Sequence, residues 1–112
     1  MLRFPKDFVW GSSTSGPQTE GRVAGDGKGD NLWDYWHQVE PNRYYNEIGP
    51  DKASTFYENW EQDIELLLDT GHTAFRTSIQ WSRIFPQGRG KVNSQGVDFY
   101  RKVFEGIKAK GI

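Results

Sequence analysis

The chain has 112 residues, with 14 Lys and Arg against 15 Asp and Glu, a net charge of -1, and no cysteine. That length holds one domain or part of a larger one, and excludes two full domains. The even charge gives no electrostatic footing for nucleic acid or an anionic membrane, and the missing cysteine excludes disulfides, thiolate catalysis and Cys-ligated zinc. Aromatic residues make up 15% of the chain; at near-zero net charge that argues against disorder. No apolar run approaches the roughly 20 residues of a membrane helix. Residues 1–10 lack the apolar core of a signal peptide. A soluble cytoplasmic protein is expected.

Phe8-Val9-Trp10 reads as a first strand that opens into a loop of small residues, Gly11 to Pro17. An irregular stretch follows, from about Gln18 to Pro50, and its Trp33, Tyr35, Trp36, Tyr44 and Tyr45 favour an ordered excursion. A helix is predicted from about Lys52 to Thr70, with Phe56, Trp60, Ile64, Leu67 and Leu68 on one stripe and Gly71 just past its end. The segment His72 to Ile79 reads as a second strand. Phe75, Thr77 and Ile79 share one face, and Arg76 and Ser78 share the other. A loop from Trp81 to Val92 leads to a last helix. Asn93 is its N-cap, Val97, Tyr100, Phe104 and Ile107 form its apolar face, and Gly111 ends it. Two β-α units in this order imply a parallel sheet with crossover helices, the front of a larger α/β fold. The alternative is a complete small α+β domain.

The residue that stands out chemically is Arg76, in mid-strand opposite Phe75 and Ile79. Facing an interior, its guanidinium needs an anionic partner. On an exposed edge it is merely solvated, and spacing alone leaves both readings open. Gln18 and Glu20 follow the first strand, where β/α folds carry their sites; a glutamine there can donate to and accept from vicinal hydroxyls, or be ordinary loop polarity. Trp81-Ser82-Arg83 follows the second strand on the same rim, with a packing or anchoring role expected for Arg83. Trp10 is expected to line the interior near the end of the first strand. His37 and His72 lack zinc spacing, Gly25-Asp26-Gly27-Lys28-Gly29 is not a GxGxxG phosphate loop, and no serine sits in a GxSxG elbow.

Three blocks together resemble glycoside hydrolase family 1. They are Phe8-Val9-Trp10-Gly11-Ser12-Ser13-Thr14-Ser15-Gly16-Pro17-Gln18-Thr19-Glu20-Gly21, then Gly27-Lys28-Gly29 with Leu32-Trp33-Asp34, and Phe75-Arg76-Thr77-Ser78-Ile79-Gln80-Trp81-Ser82-Arg83-Ile84-Phe85-Pro86-Gln87-Gly88. The resemblance runs over essentially the whole chain. It implies retaining hydrolysis of β-linked sugars on a (β/α)8 TIM barrel. Residues 1–112 would be the N-terminal fragment of that single domain, about two β-α units and incomplete as it stands. Such barrels run from about 200 to over 400 residues.

By the same resemblance, Gln18 binds the glycone hydroxyls and Arg76 orients the nucleophile carboxylate and keeps it ionised. Trp10 and Trp81 wall the sugar site and its surroundings, and no metal or cofactor is implied. The catalytic pair comes, in the family, from Asn-Glu-Pro and Glu-Asn-Gly motifs on later strands, and neither tripeptide occurs here. The 112-residue chain alone is expected to be inactive, and Glu20 sits in no catalytic motif. The Asp51 to Glu61 stretch, with Gly16-Pro17-Gln18 and the Tyr-rich loop, looks more like the bacterial 6-phospho-β-glucosidase branch. A truncated non-catalytic sugar-binding module or a non-functional remnant are the alternatives.

Overall fold

A computed structural model describes residues 2–112. At its centre β1 (Gly11–Ser13) and β2 (Ala74–Arg76) run parallel, with Gly11 opposite Ala74, Ser12 opposite Phe75 and Ser13 opposite Arg76. The first strand is therefore the run of small residues, and Phe8-Val9-Trp10 lies ahead of it. A Cβ at Gly11 would stand 2.8 Å from the Ala74 carbonyl oxygen, so the two backbones meet at a distance that only glycine allows. Phe8 and Trp10 pack instead on each other and on Phe4, with ring centroids 4.5 to 4.6 Å apart.

The excursion after β1 is ordered, as its aromatics predict. It holds α1 (Gly16–Thr19), α2 (Leu32–Val39) and two 3-10 turns, Pro41–Arg43 and Tyr45–Glu47. Asn31 caps α2: its side chain accepts from the Trp33 and Asp34 N–H groups, and Asp34 answers from the Asn31 N–H, a full capping box.

The next helix, α3 (Phe56–Asp69), begins later than the periodicity predicts, because Ala53 and Thr55 adopt left-handed backbone and hold residues 50–55 in a turn. Its end is where Gly71 puts it. Gly71, at φ +74°, donates to the Leu68 carbonyl and His72 to the Leu67 carbonyl, which is a Schellman closure. After β2 the predicted loop opens with a helical turn, α4 (Trp81–Ile84), and α5 (Ser94–Ala109) ends on a second Schellman closure at Gly111.

Helices α3 and α5 pack together over one side of the strands. Phe56 and Ile64 from α3 meet Phe99, Tyr100, Val103 and Ile107 from α5, with Trp60 and Phe75 against them. The buried face of α5 is thus Gly96, Phe99, Tyr100, Val103 and Ile107. Phe104, assigned to that face by spacing, is 42% exposed. Among the described residues no helix is long and apolar enough to cross a membrane.

Candidate active-site rim

The segments that leave the C-terminal ends of β1 and β2 lie side by side. The Thr14 N–H donates to the Arg76 carbonyl, and the Gly16 N–H donates to Ser78 Oγ at 3.0 Å. Gln18 sits on α1 in the first of these segments and Trp81 opens α4 in the second. Both are exposed, Trp81 by 62%, and its indole N–H donates to the Gly88 carbonyl. Gln18 Oε1 accepts from Ser15 Oγ at 2.8 Å. Beside Gln18 a groove of about 410 Å³ is walled by Trp33, Tyr44, Ile48, Pro50 and Pro17.

Arg76, at the end of β2, is exposed on the face opposite Phe75 and makes no ion pair among the described residues. Trp10 stands elsewhere. It precedes β1, its N–H donates to Thr73 Oγ1, its carbonyl accepts from Thr73 and Ala74, and its ring joins Phe4 and Phe8. That is the N-terminal end of the sheet, away from Gln18 and Trp81, where β/α folds place stabilising contacts.

Beneath the rim lies a buried polar cluster. Arg83 is 0% exposed and Glu20 2%. The Arg83 guanidinium donates to Glu20 Oε2 at 2.7 Å, to Asp26 Oδ2 at 3.0 Å and to the Gly21 carbonyl at 2.8 Å. It also lies over the Tyr57 ring, 4.1 Å from its centroid. Glu20 further accepts from Gln80 Nε2 at 2.8 Å and from the Tyr100 hydroxyl at 2.6 Å. Gln80 accepts in turn from Asn31 Nδ2 at 2.7 Å, and Lys28 pairs with Asp34 at 2.5 Å. A buried charge is costly unless its bonds are satisfied, and here the fold supplies the partners from separate stretches of chain.

The titrations follow from this packing. Burial pushes the Asp26 carboxyl up, but the Lys28 and Val23 N–H groups and Arg83 outweigh it and hold the carboxyl below its usual value. Burial alone would lower Arg83; hydrogen bonding to and attraction by Glu20, then Asp26, reverse that and keep the guanidinium charged. Burial, the Glu20 charge and the bond to Glu20 together push the Tyr100 phenol well above its usual value.

The anchoring role expected of Arg83 is what the structure displays, and Glu20 is its partner. Sequence reasoning missed Asp26, Gln80 and Tyr100.

Strand–loop–helix order, parallel pairing and polar groups at one end of the strands agree with the comparisons. The family model described as glycosyl hydrolase family 1 matches residues 1–112. The chain belongs to glycosyl hydrolase family 1. It is 50% identical over 112 residues to the 6-phospho-beta-glucosidase GmuD of Bacillus subtilis (strain 168), covering 100% of this chain and 24% of that protein. It is 40% identical over 111 residues to beta-glucosidase A of Acetivibrio thermocellus, covering 99% of this chain and 25% of that protein. Among solved structures, the beta-glucosidase of Thermotoga maritima in complex with cyclophellitol superposes with a TM-score of 0.88 at 38% identity, over 97% of this chain and 25% of that one. The chain therefore spans about a quarter of the length of these family 1 enzymes. Its fold is the N-terminal portion of their TIM barrel, two β-α units of an unclosed sheet.

Proposed function

We propose that residues 1–112 form the N-terminal fragment of a single (β/α)8 domain that hydrolyses β-glycosidic bonds with retention, on 6-phospho-β-glucosides. The observation that carries this reading is the placement of Gln18 and Trp81 on adjoining segments at the C-terminal end of the parallel pair, with Arg76 at the end of β2. That end of a β/α barrel is where substrates bind. In this reading Gln18 donates to and accepts from neighbouring sugar hydroxyls with its two-sided amide. Trp81 offers a flat apolar wall. Trp10 belongs to the opposite end and contributes by packing.

Retaining hydrolysis needs two carboxyl groups about 5–5.5 Å apart, one as acid and base, one as nucleophile. Both would come from strands outside residues 1–112. Arg76 then has a task that suits its free, exposed guanidinium. It donates to the nucleophile, favours the ionised form and aims it at the anomeric carbon. The 6-phosphate preference is supported by the higher identity to the Bacillus subtilis 6-phospho-beta-glucosidase than to the Acetivibrio thermocellus beta-glucosidase. A substrate phosphorylated during uptake would place the enzyme in the cytoplasm.

The test uses the full-length protein. kcat/KM is measured on 4-nitrophenyl β-glucoside with and without a 6-phosphate, and the anomer first released is followed by proton NMR. Preference for the phosphorylated substrate and release of the β-anomer are expected. Preference for the neutral glucoside overturns the phosphate assignment, and release of the α-anomer overturns the retaining mechanism.

A further inference from the structure

We propose that Glu20 is a positioning residue for the sugar site: its buried carboxylate sets the spacing between the segment that carries Gln18 and the segment that carries Trp81. This rests on the sugar-site reading above. Helices α1 and α4 have four residues each, too few to hold their own shape in water. What fixes their ends therefore fixes the side chains they carry. Glu20 is the C-cap of α1, two positions after Gln18. The donors to its carboxylate are Gln80, the N-cap of α4, Arg83, in the last turn of α4, and Tyr100 of α5. Its own carbonyl accepts from the Tyr57 N–H at the start of α3. Gln80 extends the connection through Asn31 to the cap of α2, which carries Trp33.

One carboxylate thus joins α1 to α4 directly, and α2 through Gln80 and Asn31. Its bond to Arg83 is charge-assisted, shorter and stronger than a neutral one. Gly16 shows how closely the parts fit: a Cβ there would collide with Gln80 and with Glu20 Oε1. A merely structural ion pair would raise stability without caring where Gln18 points. A positioning carboxylate shows itself in turnover, and it shows itself through Gln18.

The test is a double-mutant cycle in the full-length enzyme, with Glu20→Gln, Gln18→Ala and the pair. kcat and KM are normalised to the folded fraction measured by circular dichroism. Glu20→Gln should lower kcat/KM about 10- to 100-fold, the usual result of a small misplacement. In the Gln18→Ala background the same change should cost less than about threefold. Val103→Ala, a core truncation away from the rim, should lower stability and leave kcat/KM within about twofold. Full multiplication of the two losses, or wild-type kcat/KM in folded Glu20→Gln beside an impaired Gln18→Ala, overturns the proposal alone. An unimpaired Gln18→Ala overturns the sugar-site reading and this premise with it. Should Glu20→Gln not fold, Tyr100→Phe removes one donor and keeps the ring. It must show the same partial coupling to Gln18→Ala, and independence overturns the proposal.

Discussion

Arg83 Nε stands 2.7 Å from Glu20 Oε2, although 63 positions of chain separate the two residues. The contact ties the segment leaving β1 to the segment leaving β2. Removing the guanidinium leaves Glu20 and Asp26 buried without their cation. Arg83→Met should therefore cost about 3–5 kcal/mol. Arg83→Lys should recover only a minor part, because an ammonium cannot reproduce the fork that reaches Glu20, Asp26 and the Gly21 carbonyl together. Urea unfolding measures both. A loss under about 1 kcal/mol for Arg83→Met would mean that water reaches the cluster.

Gly96→Ala should destabilise, against the ordinary expectation for a helix. Alanine in place of glycine inside a helix normally gains about 1 kcal/mol. Gly96 lies in α5 against the Arg83 carbonyl, and a Cβ there collides with that oxygen. The clash must push α4 and α5 apart, so a net loss of about 1–3 kcal/mol is expected. A higher melting temperature for Gly96→Ala would show that the two helices are not in contact there.

Acid should weaken the fold in a defined window. The Asp26 carboxyl, although burial pushes it up, is held below its usual value by the Lys28 and Val23 N–H groups and Arg83. A depressed carboxyl contributes fully above its unfolded value, near 3.9, and that contribution is lost as pH falls through the lower folded value. The urea midpoint should be level from pH 6 to 5 and drop below about pH 4. Asp26→Asn should start less stable and show a shallower acid drop. An identical slope in both proteins would remove Asp26 from the acid transition.

Arg76→Lys separates function from folding. The side chain is exposed and forms no ion pair among the described residues, so stability should stay within about 0.5 kcal/mol. In the full-length enzyme turnover should fall about 10²-fold, the scale set by loss of one well-placed donor to a charged group. Unchanged kcat with the lysine would exclude contact with the nucleophile.

Periodic patterns in the chain translated well into structure where one face of an element is apolar. Phe56, Trp60 and Ile64 of the α3 stripe pack as predicted, whereas Leu68 at its end is exposed; the alternation of Phe75 and Arg76 and the two glycine-ended helices are realised. The pattern failed where backbone contact outranks side-chain hydrophobicity. β1 is built of Gly11, Ser12 and Ser13 because its neighbour approaches too closely for a side chain at Gly11, while Phe8 and Trp10 find each other outside the ladder. Asn93 does precede α5, yet its amide donates to the Asp26 and Arg83 carbonyls instead of capping the helix. Long-range polar pairing was the least legible. Nothing local in Glu20, Asp26 or Tyr100 announces a partner, since the Arg83 or Gln80 that each one bonds lies between 20 and 63 positions away along the chain.

The polar cluster also constrains how such a chain can change over generations. Glu20, Asp26, Gln80, Arg83 and Tyr100 are joined by hydrogen bonds away from water. Replacing any one of them leaves a buried partner short of a hydrogen bond. Replacing several at once with apolar side chains of matching volume need not be costly. Substitutions here should be inherited as a block. A library that varies these positions together should recover folded sequences that no series of single steps could reach.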